Sequence, residues 1–461
     1  MEINQRMSKR FAWLLGVLVL VSIGLLVACG SNYNSSSDGL VLVGSQGSGL
    51  IETFSFNLGS GHVSAISNSP GDTSSQTCVL GGVPSSLVLD PKGTFAYAII
   101  NANSLCDTTS PPFTSSNGIL ALKVNSGGTT TPVGSQLSFA KAKVLIPGVP
   151  PPNNTTTVDV VPGTMVIDPA GKFLFVADRA TTDSTGLFVP GAVSVFAIGS
   201  GGSVTEVAGS PFFTTIPATT LPQSGLDIVS VAPTPTVFPA IGINGVQNSV
   251  CSTLTPPTAQ YLYAVDGIGN QGFEFAVDSS GVLTLNQITP FSTDQTPAGV
   301  AVDPCNRFVY VSDSLSNKVS AYTICNAVTS ACPLADGSLL PVAGSPFGLS
   351  GSANGAGPLA VDPFGNYVYV LGTLSNTISP LKISPVSGAL TVAGAATVAT
   401  GVGPRSIAIR GDDNWMFVTN FGSTSLGGNT VSQYAITPAT GALSAEQAIQ
   451  TDNYPWGVAV K

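Results

Sequence analysis

The stretch Leu87-Val88-Leu89-Asp90-Pro91-Lys92-Gly93-Thr94-Phe95 decides the fold, because the chain repeats its pattern several times. An apolar run meets a turn of Asp, Pro and Gly, and an aromatic residue then starts the next apolar run. Pro fixes φ at the first central position of such a turn, Asp bonds to its own backbone, and Gly accepts positive φ. The pattern therefore predicts two short β-strands joined by a tight turn. Further copies lie at 165–173, 300–308 and 359–367, with a degenerate copy at 407–415.

Each repeat predicts four strands. The second strands begin with an aromatic residue at 95–98, 173–176, 261–264, 308–311, 367–370 and 415–418. Their β-branched and aromatic residues suit strands that are buried between two sheets. A third strand follows after a loop, and a Gly-containing hairpin turn then leads to a fourth strand, as at 388–392.

Four antiparallel strands repeated around a circle form a β-propeller, in which each sheet covers its neighbours. Six second strands and a seventh at 40–43 predict an all-β, seven-bladed propeller. The seventh has no first strand before it, but 455–461 matches the start of the repeat. The C-terminal strand is therefore predicted to complete blade one and close the ring, so that removing 454–461 would expose an open sheet edge.

The repeats resemble a known family. Trp415-Met416-Phe417-Val418-Thr419-Asn420 resembles the Tyr-Val-Thr-Asn repeat, and 207–212 and 342–347 are similar to linkers of the lactonase-type seven-bladed propellers. The resemblance covers nearly all of 40–461. It implies the fold, and it implies hydrolysis of sugar lactones by polar residues at the mouth of the central channel. Arg405 is the one position that carries over, and a His partner is missing.

The N-terminal segment predicts export. Three basic residues precede an apolar run at 11–27, which ends in Leu26-Val27-Ala28-Cys29. This order resembles the bacterial lipobox, so that 1–28 would be a lipoprotein signal, 29–39 a tether lipidated on Cys29, and 40–461 the propeller. An uncut membrane anchor and an ordinary cleaved secretory signal are the alternatives. All three place the propeller in the cell envelope outside the cytoplasm, and the first makes the membrane a partner.

The charge pattern excludes several functions. The chain has 15 Lys and Arg against 24 Asp and Glu, a net charge of −9, and only 8% charged residues. An acidic surface repels a phosphate backbone, so nucleic acid is not an expected partner. Neither a Walker-type loop nor a complete calcium loop occurs in the sequence, and no cofactor or metal is expected. We expect a monomer.

The cysteines predict three disulfides. Six cysteines besides Cys29 form an even set, as in proteins of oxidising compartments. Their places in the blades bring together pairs on shared or neighbouring loops. The predicted pairs are Cys78 with Cys106, Cys251 with Cys305, and Cys325 with Cys332. A metal or redox role is the alternative, and no Cys-x-x-Cys supports it.

The mouth of the channel is the predicted functional surface. Alignment of the repeats places seven residues around it: Ser85, Gly163, Asp227, Ala298, Gly357, Arg405 and Trp456. Asp227, Arg405 and Trp456 are the ligand-binding candidates, because a guanidinium beside an indole could hold a carboxylate or a sugar ring. The alternative is that Arg405 pairs with an acidic neighbour and Trp456 packs the last strand. The one histidine, His62, is predicted at the rim, where it cannot serve a Ser-His-Asp triad at the mouth.

These observations favour a non-catalytic envelope scaffold, which binds a small molecule, a glycan or a protein through the mouth or the long loops at 141–161 and 232–260. A sugar-lactone hydrolase similar to 6-phosphogluconolactonase is the alternative, with Arg405 as its catalytic candidate. A purely structural surface protein is the third possibility. The sequence leaves open whether the protein is an enzyme.

Overall fold

A computed structural model describes most of the chain. The described residues are 38–66, 82–102, 117–145, 155–182, 186, 188–213, 226–235, 251, 259–286, 290–326, 328–332, 336–394, 397–422 and 427–461. The predicted signal at 1–28 and most of the predicted tether, at 29–37 with Cys29, lie outside these ranges. Residues 38 and 39, which were predicted as the end of the tether, belong to the first strand of the propeller. Within them the regular structure consists of β-strands, and no helix is long and apolar enough to cross a membrane.

The strands follow one another blade by blade along the chain. Blade one comprises β1 (Asp38–Ser45), β2 (Leu50–Asn57) and β3 (Val63–Ala65), and blade two comprises β4 (Gly82–Leu89), β5 (Phe95–Ala102), β6 (Gly118–Val124), β7 (Thr130–Pro132) and β8 (Leu137–Ser138). Two separate pairs follow, β9 (Ala142–Leu145) with β10 (Thr155–Val158) and β13 (Thr181–Thr182) with β14 (Phe188–Val189). Blade three comprises β11 (Val161–Ile167), β12 (Phe173–Arg179), β15 (Ala192–Ile198), β16 (Val204–Glu206) and β17 (Phe212–Phe213).

Blades four to seven have the same plan. They comprise β18 (Ile228–Pro233), β19 (Gln260–Asp266), β20 (Gln271–Val277), β21 (Leu283–Leu285), β22 (Phe291–Ser292); β23 (Pro297–Val302), β24 (Phe308–Asp313), β25 (Lys318–Ile324), β26 (Leu339–Pro341), β27 (Phe347–Gly348); β28 (Ala356–Val361), β29 (Tyr367–Gly372), β30 (Thr377–Ile383), β31 (Leu390–Val392), β32 (Val398–Ala399); and β33 (Pro404–Ile409), β34 (Trp415–Gly422), β35 (Gly427–Thr437), β36 (Ala442–Gln450), with β37 (Pro455–Val460) returning to blade one.

The seven blades form a closed ring, as predicted. Each is an antiparallel sheet. The strands of blades two to seven lie in chain order, whereas blade one has the order β37-β1-β2-β3. Among the described residues five blades carry a further short strand against the third one. The first strands touch one another in the order β37, β4, β11, β18, β23, β28, β33 and back to β37. They are therefore the innermost strands and surround the channel.

The C-terminal strand closes the ring inside blade one. In β37, Val458 is opposite Val43 and Val460 is opposite Val41 in the antiparallel ladder with β1. Lys461 continues it, because its N–H donates to the Leu40 carbonyl (2.9 Å) and its own carbonyl accepts from Leu40 N (3.3 Å). The prediction that the tail supplies the missing first strand is confirmed.

The core is divided among the interfaces between blades. In the described part of the chain, seven separate clusters of buried apolar residues each join two adjacent blades, and one of them joins blade seven to blade one. In that closing cluster Phe56 packs against Phe417 with ring centroids 5.1 Å apart. Burial of both faces of every sheet explains why the strands are apolar without alternation.

The aromatic residue that starts each second strand packs against the next blade. A Cβ on Gly441, in the third-to-fourth turn of blade seven, would collide with the ring of Tyr367 in blade six, so this turn needs a glycine. The Tyr two positions later completes the contact, since Tyr369 Oη donates to the Gly441 carbonyl (3.3 Å). The same bond joins Tyr263 to Gly337 (2.6 Å) and Tyr310 to Gly388 (3.1 Å). One repeated contact therefore sets the spacing of successive blades.

Two of the three predicted disulfides are present. Cys251 bonds Cys305 across blades four and five, and Cys325 bonds Cys332 within one loop of blade five. All four side chains are buried. Cys78 and Cys106 lie outside the described residues, and their pairing stays a prediction.

The two disulfides should differ in their effect on stability. They span 54 and 7 residues, and a cross-link restricts the unfolded chain more when its loop is longer. We expect Cys251→Ala with Cys305→Ala to lower the free energy of unfolding by about 4 kcal/mol, and Cys325→Ala with Cys332→Ala by about 2 kcal/mol. Urea unfolding of the two double variants measures this, and equal losses would contradict the loop-length argument.

Candidate functional site

A β-bulge interrupts every innermost strand near its start. In β33, Pro404 is opposite Asn420 of β34 and Ser406 is opposite the adjacent residue, Thr419. Arg405 is therefore the extra residue of the bulge. The other six first strands shift register at the matching place. Bulges re-aim side chains and are frequent beside active sites. We call this ring of bulge residues the mouth: Ser85, Gly163, Val229, Ala298, Gly357, Arg405 and Trp456.

Arg405 lies in an aromatic corner of the mouth. Its guanidinium carbon is 5.2 Å from the Trp456 ring centroid and 5.5 Å from that of Phe421. The two rings meet edge to face at 5.1 Å, and Tyr454 packs on Phe421 at 5.2 Å. Cation–π contact of this kind holds a guanidinium without neutralising it.

The charge of Arg405 is free to act on a ligand. Its side chain is exposed and forms no ion pair with any residue in the described ranges. The alternative in which an acidic neighbour occupies Arg405 is therefore not realised there. Trp456 belongs to the closing strand, as the alternative supposed, but its ring is only half-buried and supports Arg405.

Asp227 is not a mouth residue, which corrects the alignment made from sequence. Ile228 and Ser230 flank the bulge of blade four, so Val229 takes the place assigned to Asp227. The sequence of this blade has no Asp-Pro turn to indicate where its first strand ends, and it has extra residues at 236–250. The alignment of the repeats was therefore two residues out in this blade. Asp227 instead accepts from Arg179 Nε (2.8 Å), Arg179 Nη2 (2.6 Å) and Ala180 N (2.8 Å).

The Arg179 partner was missed because Arg179 is the last residue of β12, one position beyond the repeat motif. The two hydrogen bonds that the Arg179 guanidinium donates to Asp227 raise the pKa of Arg179 above its usual value. Its side chain also covers the mouth at Gly163, where an added Cβ would lie 3.2 Å from Arg179 Cγ. The pair neutralises the cation, so Arg179 offers a ligand less net charge than Arg405 does.

Buried polar pairs join the second strand to the third strand of a blade on the side of the mouth. At the end of the second strand, Asp178 accepts from Ser194 Oγ (2.7 Å) and Asp313 accepts from Ser320 Oγ (2.7 Å). In blade one the hydroxyl and the carboxylate exchange strands: Ser45 ends the second strand, and its Oγ donates to Glu52 in the third strand (2.6 Å). Glu52 also accepts from Asp452 N (3.0 Å), four residues before Trp456. Burial raises the pKa of both Glu52 and Asp313 to about 7.

His62 lies away from the mouth, and the Asp residues of the blade turns stabilise those turns. His62 is exposed beside the outermost strand of blade one, so the prediction that it lies at the rim is confirmed. Asp168 accepts from the backbone of its own turn at Phe173 (2.7 Å), and Asp362 does the same at Tyr367 (2.9 Å). Nowhere in the described ranges do three or more metal-ligating side chains converge.

The last quarter of the chain, which holds Arg405, matches a known protein family. Residues 338–459 match the family model described as lactonase, 7-bladed beta-propeller. This stretch contains Arg405, Phe421 and Trp456. No curated protein matches the chain.

Solved propellers resemble the whole chain. A candidate 6-phosphogluconolactonase of Bacteroides fragilis is 19% identical with a TM-score of 0.62, covering 94% of this chain and 100% of its own. One of Bacteroides uniformis is 18% identical with a TM-score of 0.60, covering 92% and 100%. The periplasmic gluconolactonase of Pseudomonas aeruginosa is 15% identical with a TM-score of 0.60, covering 92% and 99%. At these identities the likeness establishes the seven-bladed fold.

The preference for a non-catalytic scaffold is wrong. The family model that matches 338–459 is a lactonase model, and it favours the hydrolase that the sequence ranked second. The lack of a histidine at the mouth does not exclude a hydrolase. Opening a lactone needs a donor for the carbonyl oxygen, which a guanidinium can supply without an imidazole.

Proposed function

We propose that this propeller is a lactone hydrolase that works at the mouth around Arg405. The observation that carries the proposal is the lactonase-family match over 338–459, because it spans the strands that hold Arg405, Phe421 and Trp456. The geometry supports it, since Arg405 is a fixed, exposed cation that no described carboxylate neutralises.

Hydrolysis of a lactone needs few functional groups from the protein. Water adds to the carbonyl carbon of the lactone and gives up a proton to solvent, while the carbonyl oxygen becomes an oxyanion. The carbonyl then re-forms, the ring C–O bond breaks, and the departing ring oxygen takes up a proton from solvent, which gives a hydroxy acid. Arg405 would donate hydrogen bonds to the oxygen as negative charge develops there, and such donors act mainly on the transition state. Phe421 and Trp456 hold the guanidinium in place before the substrate arrives.

Loss of Arg405 should therefore reduce turnover without unfolding the protein. We expect Arg405→Ala to lower kcat/KM about 100-fold, because one transition-state donor is removed. Acid release from δ-valerolactone and glucono-δ-lactone, followed in a pH-stat, measures the rate. Arg405→Lys should retain part of the activity, since it keeps the charge and loses the planar donor pair.

The matched control is Lys382→Ala, which removes an exposed cation from β30 within the same family-matched stretch. It should leave kcat/KM unchanged. Equal rates for Arg405→Ala and the parent protein, with unchanged thermal unfolding, would contradict the assignment of Arg405. Absence of acid release from every lactone would contradict the proposed function itself.

We also propose where the protein acts. The lipobox-like segment ending at Cys29 supports an exported protein that is tied to a membrane by lipid. The two disulfides support an oxidising compartment, where such bonds form and persist.

A further inference from the structure

An acidic residue of blade seven occupies a turn position that is Gly or Asn in four other blades. Asp413 N donates to the Arg410 carbonyl (2.9 Å), as Gly365 N donates to the Asp362 carbonyl (3.0 Å) in blade six. Asp413 and Gly365 also share a positive φ, of 56° and 69°. The turn of blade seven therefore has the geometry of the others and adds a carboxyl. The residues at this position in blades two, three, five and six are Gly93, Gly171, Asn306 and Gly365.

A side chain at this turn position points to the preceding blade. A Cβ on Gly365 would collide with Asp303 Oδ1 of blade five, and one on Gly171 would lie 3.1 Å from Pro91 Cδ of blade two. In blade seven the same direction leads to Asp362 of blade six, which corresponds to Asp303 in blade five. The carboxyls of Asp362 and Asp413 are in hydrogen-bonding contact. Two carboxyls therefore face each other across the boundary between blades six and seven.

Both carboxyls are shielded from water. Asp362 and Asp413 are each 0% exposed. Asp362 Oδ1 accepts from Asn366 N (2.6 Å) and Tyr367 N (2.9 Å). Asp362 Oδ2 and both oxygens of Asp413 accept no hydrogen bond from any other group that the structure describes. Three buried oxygens therefore lack the donors that a buried carboxylate needs.

The cations near the two carboxyls are already paired. Arg307 donates to Asp303 through Nε (2.8 Å) and Nη2 (2.7 Å). Arg410 forms an ion pair with Asp412, and its Nε donates to the Lys461 carbonyl (3.1 Å). Each of these pairs is neutral. The two facing carboxyls would therefore place two uncompensated negative charges in one buried site if both were ionised.

Two tyrosines lie beside the carboxyls, and their hydroxyl groups are engaged elsewhere. Tyr367 Oη donates to the Ala439 carbonyl (2.9 Å), and Tyr369 Oη donates to the Gly441 carbonyl (3.3 Å). An ionised carboxylate only accepts hydrogen bonds, so two of them can bond each other only when one carries a proton.

We propose that Asp362 and Asp413 share one proton at neutral pH and form a pH-sensitive latch between blades six and seven. With the proton present, the protonated carboxyl donates to the other one. When the proton leaves to solvent, two carboxylates repel each other across the boundary. A shared metal ion suits the site less well, because no third metal-ligating side chain joins the two in the described ranges.

The latch should weaken as the pH rises. Burial raises the pKa of both carboxyls, and the charge of Asp362 raises the pKa of Asp413 further, to about 8. In the unfolded chain each pKa returns to about 4. The folded protein then holds one proton more than the unfolded chain between these two values, so the stability that the latch contributes is lost as the pH rises from about 5 to 8.

The first test counts the shared proton. Asp413→Asn keeps a donor for Asp362 and cannot titrate, and Asn306 shows that the turn accepts an Asn. During urea unfolding at pH 7 in a pH-stat, the parent protein should release about one proton more per molecule than Asp413→Asn. The melting temperature of the parent should also fall more steeply from pH 5 to 8. Asp278→Asn, which removes an exposed carboxyl, should match the parent in both measurements.

The second test locates the proton. The infrared carbonyl band of protonated carboxyl groups at pH 7 should weaken in Asp413→Asn and in Asp413→Gly, which has the glycine that blades two, three and six use. Equal proton release and equal bands in the parent and both variants would overturn the latch. A melting temperature that millimolar calcium raises in the parent, and not in Asp413→Asn, would show that a cation occupies the site and would overturn it too.

Discussion

Deletion of 454–461 is expected to abolish the cooperative thermal unfolding of the propeller. The deletion removes β37, which pairs with β1 and touches the innermost strands of blades two and seven. Val41 and Val43, both fully buried, would lose their neighbours in the ladder. An open ring exposes a sheet edge and two blade faces, and the loss should exceed the margin of about 5–15 kcal/mol by which domains are stable. Differential scanning calorimetry of the truncated chain measures this.

A point variant gives the same test without truncation. Val458→Asn places an amide in the closing interface, where Val458 is 4% exposed, and should lower the free energy of unfolding by about 3 kcal/mol. Val392→Asn is the control, because Val392 is 51% exposed on the outer strand of blade six. It should change stability by less than about 0.5 kcal/mol. A truncated chain with unchanged unfolding would show that the ring does not depend on its tail.

The second large effect is a loss of stability as the pH rises from 5 to 8. Burial raises the pKa of Asp313 and of Glu274 to about 7 in the folded protein. Unfolding returns each pKa to about 4, so the folded state binds more protons between these values and its stability falls as the pH rises through 7. We expect a loss on the order of 5 kcal/mol for the two groups together. Urea unfolding at several pH values measures it.

Asp313→Asn should flatten this pH dependence. The replacement is compatible with the fold, because Asn420 occupies the same position in blade seven and bonds Ser432 Oγ (3.0 Å). Asp278→Asn is the control: this exposed carboxyl has a pKa lowered by its bonds with Ser280, so it stays ionised from pH 5 to 8. A pH profile that Asp313→Asn leaves unchanged would show that Asp313 is already ionised in the fold.

The sequence was sufficient for the fold because its repeats carry their own turn chemistry. Asp-Pro-x-Gly turns marked the register of blades two, three and six, an Asp-Pro-x-Asn turn marked that of blade five, and the tail at 455–461 completed the count. The aromatic residue after each turn also has a physical reason, since it packs on a turn glycine of the next blade. Local signals and the overall architecture agree, which is why the blade number could be predicted.

The site was only partly predictable. Arg405 and Trp456 lie on well-marked strands, and their alignment placed them correctly at the mouth. Phe421 and Arg179 lie at the ends of second strands and contact Trp456 and Asp227 across the boundary to the next blade, and contacts of this kind have no sequence period.

The position of the two strand ends in blade one has a mechanical consequence. Leu40 and Lys461 are paired at the same end of an antiparallel ladder. A pulling force applied to both ends of the propeller would therefore load these hydrogen bonds one after another, as in unzipping, and would not shear them all at once. The ring would open at the seam between β1 and β37 under modest tension, before any other blade gave way.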